Sequence, residues 1–163
     1  MKKIFVLTII ILSCNQANTD LSNKAATEIM QADKDMNILA SKEGFYKALL
    51  AYADDSVVKP QEGELTVIGK IALEKYWNDK PDTKDISWEP FKAEAARSGE
   101  LGYTLGNWKF TSKDTILHGY YYTIWKKQPD GKWKFMVDGG NNTPKPEAKK
   151  ESISKVSMPQ RIE

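Results

Sequence analysis

The chain has one cysteine, one histidine and, past residue 12, no long apolar run. A lone histidine excludes a His–His dyad or a multi-histidine metal site, and it leaves no Ser-His-Asp order to argue for. With the only cysteine at position 14, nothing after it can form a disulfide, hold zinc through thiolates or act as a thiol nucleophile. Excess charge is also missing. Two of the 24 basic residues, Lys2 and Lys3, sit in the leader, and the rest equal the 22 acidic ones. A balanced chain lacks the basic patch that nucleic acid or an anionic lipid surface requires. No internal repeat is visible, and Gly139-Gly140 has neither the spacing nor the following helix of a phosphate loop. What is present is a globular composition, 40% hydrophobic with five Trp, seven Tyr and five Phe, enough to close one core.

Met1-Lys2-Lys3 is a short positive segment, followed by an apolar run from Ile4 to Leu12. That run is too short for a spanning helix of about 20 residues and has the form of a signal peptide over 1–13. Ile11-Leu12-Ser13-Cys14 resembles the bacterial lipobox. There the cysteine thiol forms a thioether to diacylglycerol and becomes the mature N-terminus, and each buried acyl carbon adds roughly 0.8 kcal/mol to anchoring. The alternative is an ordinary signal peptide cut a few residues later, for instance after Ala17. Residues 14–20 read as a lipidated tether, 21–143 as one domain and 144–163 as a disordered tail. The tail is either a solvated terminus or a partner-binding segment.

Within the domain, Leu21, Ala25, Ile29, Ala32, Met36, Leu39 and Ala40 recur at helical spacing. Ser41 is placed to cap a second helix carrying Phe45, Ala48, Leu49 and Tyr52. Asp54-Asp55 ends it as a turn that needs no metal. A hairpin of Val57-Val58 with Leu65 to Val67 follows, and then a third helix from Lys70 to Trp77 with Ile71, Leu73 and Tyr76-Trp77 as contacts. The loop from Asn78 to Asp85 contains Pro81. From Ile86 the period becomes two, giving strands at Trp88–Ala96, Leu101–Thr111, Thr115–Lys127 and Lys132–Asp138. Pro129-Asp130-Gly131 turns the last hairpin, and Gly139-Gly140 reads as a bend. The class is α+β: three N-terminal helices packed against a strongly curved antiparallel sheet. Tyr121, Thr123 and Trp125 share one face of their strand, and Tyr120, Tyr122 and Ile124 the other. A strand apolar on both faces is covered on both sides. One face meets the helices, and the other meets a second subunit in a homodimer or turns its hydroxyls to solvent.

This order resembles the nuclear transport factor two-like fold, also called the cystatin-like cone, which includes ketosteroid isomerase, scytalone dehydratase and the SnoaL-like cyclases. Ala32-Asp33-Lys34-Asp35-Met36, Lys42-Glu43-Gly44-Phe45, Ala53 to Val58 and Gly69-Lys70 resemble the first half of a large, mostly uncharacterised bacterial family in that superfamily. Ser98 to Thr104, Gly119-Tyr120-Tyr121, Trp125-Lys126-Lys127 and Asp130 to Lys134 resemble its second half. The resemblance implies a conical pocket between sheet and helices and, commonly, a homodimer through the outer sheet face.

Asp33 is the first candidate for chemistry. It stands beside Ile29 and Met36 on the apolar side of the first helix, where a carboxylate is costly unless paired and burial raises its pKa. In the isomerase-like enzymes of the superfamily, carboxylates, His and Tyr project into the cone to move protons. The alternative for Asp33 is a structural carboxylate bonded to backbone or to a Tyr or Trp donor across the core. Tyr103 and Tyr121 are the candidate catalytic donors. Trp88, Tyr103, Tyr121, Trp125 and Asp138 are the candidate ligand-binding residues, with simple core as the alternative for the aromatics. By parity Asp138 opposes Trp133, Phe135 and Val137, so it faces solvent or turns into the pocket mouth. His118 sits near a strand start and reads as a rim or surface residue. Nothing calls for a metal or cofactor. The leading expectation is a bacterial cell-envelope lipoprotein, its domain in the periplasm or at the cell surface. That domain would bind a small, partly apolar molecule, with no catalysis assigned. Outer membrane is preferred because Asn15 is not the Asp of inner-membrane retention in enteric bacteria. The rivals are proton-transfer chemistry (isomerisation, dehydration or cyclisation) with Asp33 as base, and a protein-interaction module using the outer sheet face.

Overall fold

A computed structural model describes residues 20–145. The signal segment, Cys14 and all of the expected tail but residues 144 and 145 lie outside the described residues. Helix α1 spans Ser22–Glu43 and α2 Phe45–Tyr52; strand β1 (Ala53–Lys59) and β2 (Val67–Ile68) form the hairpin, and α3 runs Lys70–Trp77. Four longer strands follow: β3 Ile86–Ala95, β4 Leu101–Thr111, β5 Ile116–Lys127 and β6 Trp133–Thr143. They form one sheet in the order β2-β1-β6-β5-β4-β3. All pairs are antiparallel except β1 with β6, which is parallel and joins the hairpin to the meander. Among the described residues no helix is long and apolar enough to cross a membrane.

Helix α1 buries Ala25, Ile29, Asp33, Met36 and Ala40, a row one turn apart that packs into the sheet. It continues through Ser41, whose hydroxyl donates back to the Ile38 carbonyl instead of capping α2. The break comes at Gly44, with φ of 115°. The opening N–H groups of α2 are met from far along the chain: Tyr46 and Lys47 donate to the Asp82 carboxylate at 2.8 and 3.2 Å. A Cβ at Gly44 would stand 2.3 Å from that carboxylate, so the position takes glycine for space as well as for φ. Asp82→Ala is expected to lower stability by about 1 kcal/mol, the usual worth of a helix cap. A urea denaturation midpoint reads this, and an unchanged midpoint would show that solvent caps α2 equally well.

Two bulges bend the sheet. The β3–β4 register shifts between Pro90 and Lys92, and the β5–β6 register shifts where Phe135 pairs with Trp125 but Val137 pairs with Ile124. The second shift corrects two expectations. Strand β6 does not end at Asp138: Gly139 and Gly140 lie within it, paired with Tyr122 and Tyr121. Met136 is the extra residue, so the alternation set by Trp133 and Phe135 reverses and Asp138 falls opposite Thr123, on the inner face. Glycine at 139 serves close packing here, since a Cβ would sit 2.6 Å from the Tyr122 hydroxyl. Ile71, expected as a contact of α3, is instead exposed; Leu73 and Trp77 make the buried face.

Candidate functional site

Asp33 is fully buried and bonded from two strands. The Trp88 indole N–H (β3) donates to Oδ1 at 2.7 Å, and the Tyr121 hydroxyl (β5) donates to Oδ2 at 3.0 Å. On the neighbouring β4, the Thr104 hydroxyl oxygen accepts the Trp125 indole N–H at 2.9 Å. Burial pushes the Asp33 carboxyl up to about 6, against the pull of Thr104, Trp88 and Tyr121; the charge of Asp138 adds to the rise. Burial, and next the Asp33 charge, push the Tyr121 hydroxyl far above its ordinary value, so it stays a donor.

A second polar group lies across the cone. Asp138 accepts the Thr123 hydroxyl at 2.8 Å through Oδ1 and the Lys59 ammonium at 2.9 Å through Oδ2. Both partners of that ion pair are only 14% exposed. Between the two groups is a cavity of about 210 Å³. Met36, Phe45 and Leu49 close it on the helix side, and Trp88, Trp108 and Tyr121 form its sheet wall. Lys59, Asp138, Gln61, Asn142 and the exposed Glu62 line its polar end. The Asn142 amide donates to the Glu62 carboxylate at 3.1 Å. The Gln61 amide nitrogen is buried with no partner among the described residues.

No family model matches the chain, and no curated protein matches it. Solved structures do. A ketosteroid isomerase-like protein from Erwinia carotovora atroseptica SCRI1043 superposes with a TM-score of 0.61 at 16% identity, over 75% of this chain and 99% of that one. A putative ketosteroid isomerase from Parabacteroides distasonis ATCC 8503 gives 0.58 at 16% identity, over 72% and 86%. An NTF2-like protein with a cystatin-like fold from Novosphingobium aromaticivorans gives 0.54 at 15%, over 72% and 81%. The fold is NTF2-like. At such identities the likeness is one of architecture, and chemistry has to be argued from the side chains.

Of the residues singled out from sequence, the NTF2-like cone brings Trp88, Tyr121 and Asp138 to the cavity. The others are placed elsewhere. Asp33 does not line the cavity: it is sealed behind Trp88 and Tyr121, whose polar atoms are turned toward it, so it cannot touch a molecule bound there as a general base must. Trp125 is core, packed edge-on against Tyr52 and Phe135. Tyr103 is on the opposite face of the sheet, donating to Glu94 at 2.7 Å. His118 pairs with Thr143 at the far end of β5. Lys59 and Thr123 escaped the sequence reading. Lys59 carried a signal, since in β1 it shares parity with the buried Val57 and so points inward despite its charge.

Proposed function

We propose that this chain is a bacterial cell-envelope lipoprotein whose NTF2-like domain holds a small, partly apolar molecule in the cone. The observation that carries the binding half is the cavity itself: aromatic walls closing on one nearly buried, hydrogen-bonded ion pair, Lys59 with Asp138. Apolar enclosure with a few directed polar groups is the usual form of a small-molecule site. The anchoring half rests on the lipobox-like Ile11-Leu12-Ser13-Cys14 that closes a nine-residue apolar run. A homodimer through the outer face completes the proposal, supported by Phe91, Leu101, Tyr120 and Tyr122, all exposed on the single chain.

Native mass spectrometry of the chain extracted from membranes tests this directly. A discrete extra mass that leaves on denaturation is expected, on a species of twice the protein mass. A bare protein mass would sink the binding half, and a monomer the dimer. Cys14→Ser is expected to move the protein from the membrane pellet to the soluble fraction; retention in the pellet would rule out the lipid anchor.

A further inference from the structure

Hydrogen-bonding capacity in the cone is lopsided. The indole N–H of Trp88 and the hydroxyl of Tyr121 point out of the cavity, into Asp33. Each oxygen of Asp138 already accepts a bond, from Thr123 and from Lys59. Lys59 keeps donors free. An ammonium carries three N–H bonds, and the only ion-pair partner of Lys59 among the described residues is Asp138. Gln61 lines the same end, but its unpartnered amide nitrogen is buried and offers the cavity no surface. A ligand group that accepts is therefore satisfied by the remaining N–H bonds of Lys59.

Charge narrows the class further. The positive charge of Lys59 is matched by Asp138, and Glu62 adds a negative charge at the mouth. A carboxylate entering this end finds no uncompensated cation; an ammonium is drawn to Glu62 at the mouth and repelled by Lys59 further in. Size limits the rest: a cavity of roughly 150 Å³ accepts benzene, so about 210 Å³ accommodates one ring with a short substituent, not a fused polycycle. We propose that the occupant is a one-ring molecule bearing an uncharged acceptor oxygen directed at Lys59, its ring against Trp88, Trp108 and Tyr121. This rests on the cavity being the ligand site, as argued above.

The test uses four probes of nearly one shape: acetophenone, benzoate, benzylamine and ethylbenzene, titrated into the full chain by ligand-observed NMR. Acetophenone is expected to bind about tenfold more tightly than each of the others, the worth of one good hydrogen bond. Lys59→Met is expected to erase that advantage while leaving ethylbenzene unchanged. Because that variant strands Asp138, the paired replacement Lys59→Met with Asp138→Leu is measured beside it; removing both charges keeps the wall packed. Benzoate or benzylamine binding as tightly as acetophenone overturns the proposal, and so does an acetophenone preference that survives both variants. If none of the four binds, this ligand class is wrong; the binding reading itself falls only if the native spectrum also shows a bare mass.

Discussion

Asp33→Ala is expected to destabilise the protein by about 4 kcal/mol at pH 4, and by far less at neutral pH. At pH 4 the Asp33 carboxyl is protonated and neutral in the folded state, and its loss leaves the donors of Trp88 and Tyr121 without a partner inside the core. Each such orphan costs about 1–3 kcal/mol, and the rigid indole cannot turn elsewhere. The pH dependence follows from linkage. The folded-state pKa stands at about 6 against an ordinary 3.8, so between those values the folded protein binds more protons than the unfolded chain. This group's contribution is then fully present below about pH 4 and is lost as pH rises through 6, by roughly 3 kcal/mol in all. Asp33→Asn keeps the shape and abolishes the titration. The wild type should therefore lose about 2 kcal/mol relative to Asp33→Asn between pH 4 and pH 7, read by urea denaturation at both pH values. A difference that does not change with pH would mean that Asp33 is not buried as an isolated charge.

The second large effect is expected at Gly106. A Cβ there would lie 2.2 Å from the Tyr121 ring and 2.5 Å from the Glu89 carbonyl oxygen. The carbonyl belongs to the β3–β4 ladder, and the ring cannot swing aside without releasing Asp33. Gly106→Ala should cost about 3 kcal/mol, at the upper end for overpacking one carbon. The cost should shrink when Tyr121 is also cut to Ala, because one of the two clashes is then gone. Denaturation midpoints of the two single variants and the double variant decide it. Additive costs would show that the ring yields freely, and that the contact between β4 and β5 does not fix Tyr121.

Much of this could be read from the chain alone, and the misreadings share a cause. Helix α1, helix α3 and strand β4 follow from periodicity, and Asp33 announced itself as a carboxylate on an apolar stripe. Strand β4 also shows where periodicity fails. In its first half the large apolar residues, Leu101, Tyr103 and Leu105, face outward, while Gly102, Thr104 and Gly106 face the core. The inner positions are small because partners descend onto them: Ile29 over Gly102, and the Tyr121 ring over Gly106. Hydrophobicity alone therefore assigns Tyr103 to the wrong side. Asp82 closes α2 from more than thirty residues away, beyond any local capping pattern. Met136 is an inserted step in a ladder whose partner is known only once the sheet is formed. Each of these depends on what a distant segment does, and a pattern along one strand carries no record of it.

Strand β6 is in effect two strands in opposite phase, spliced at Met136. The first phase, with Trp133 and Phe135, builds the core; the second, with Asp138, furnishes the cavity. Letting the ladder run on without that step, with Met136 opposite Ile124 and Val137 opposite Thr123, would keep every residue of the second half and turn each one to the other face. Asp138 would be carried to the outer surface, and Lys59 would be left facing an apolar chamber. One pairing step therefore separates a cone with a charged end from one with a lone inward cation, and the polarity of the chamber is encoded in the register of β6 as much as in the identity of its residues.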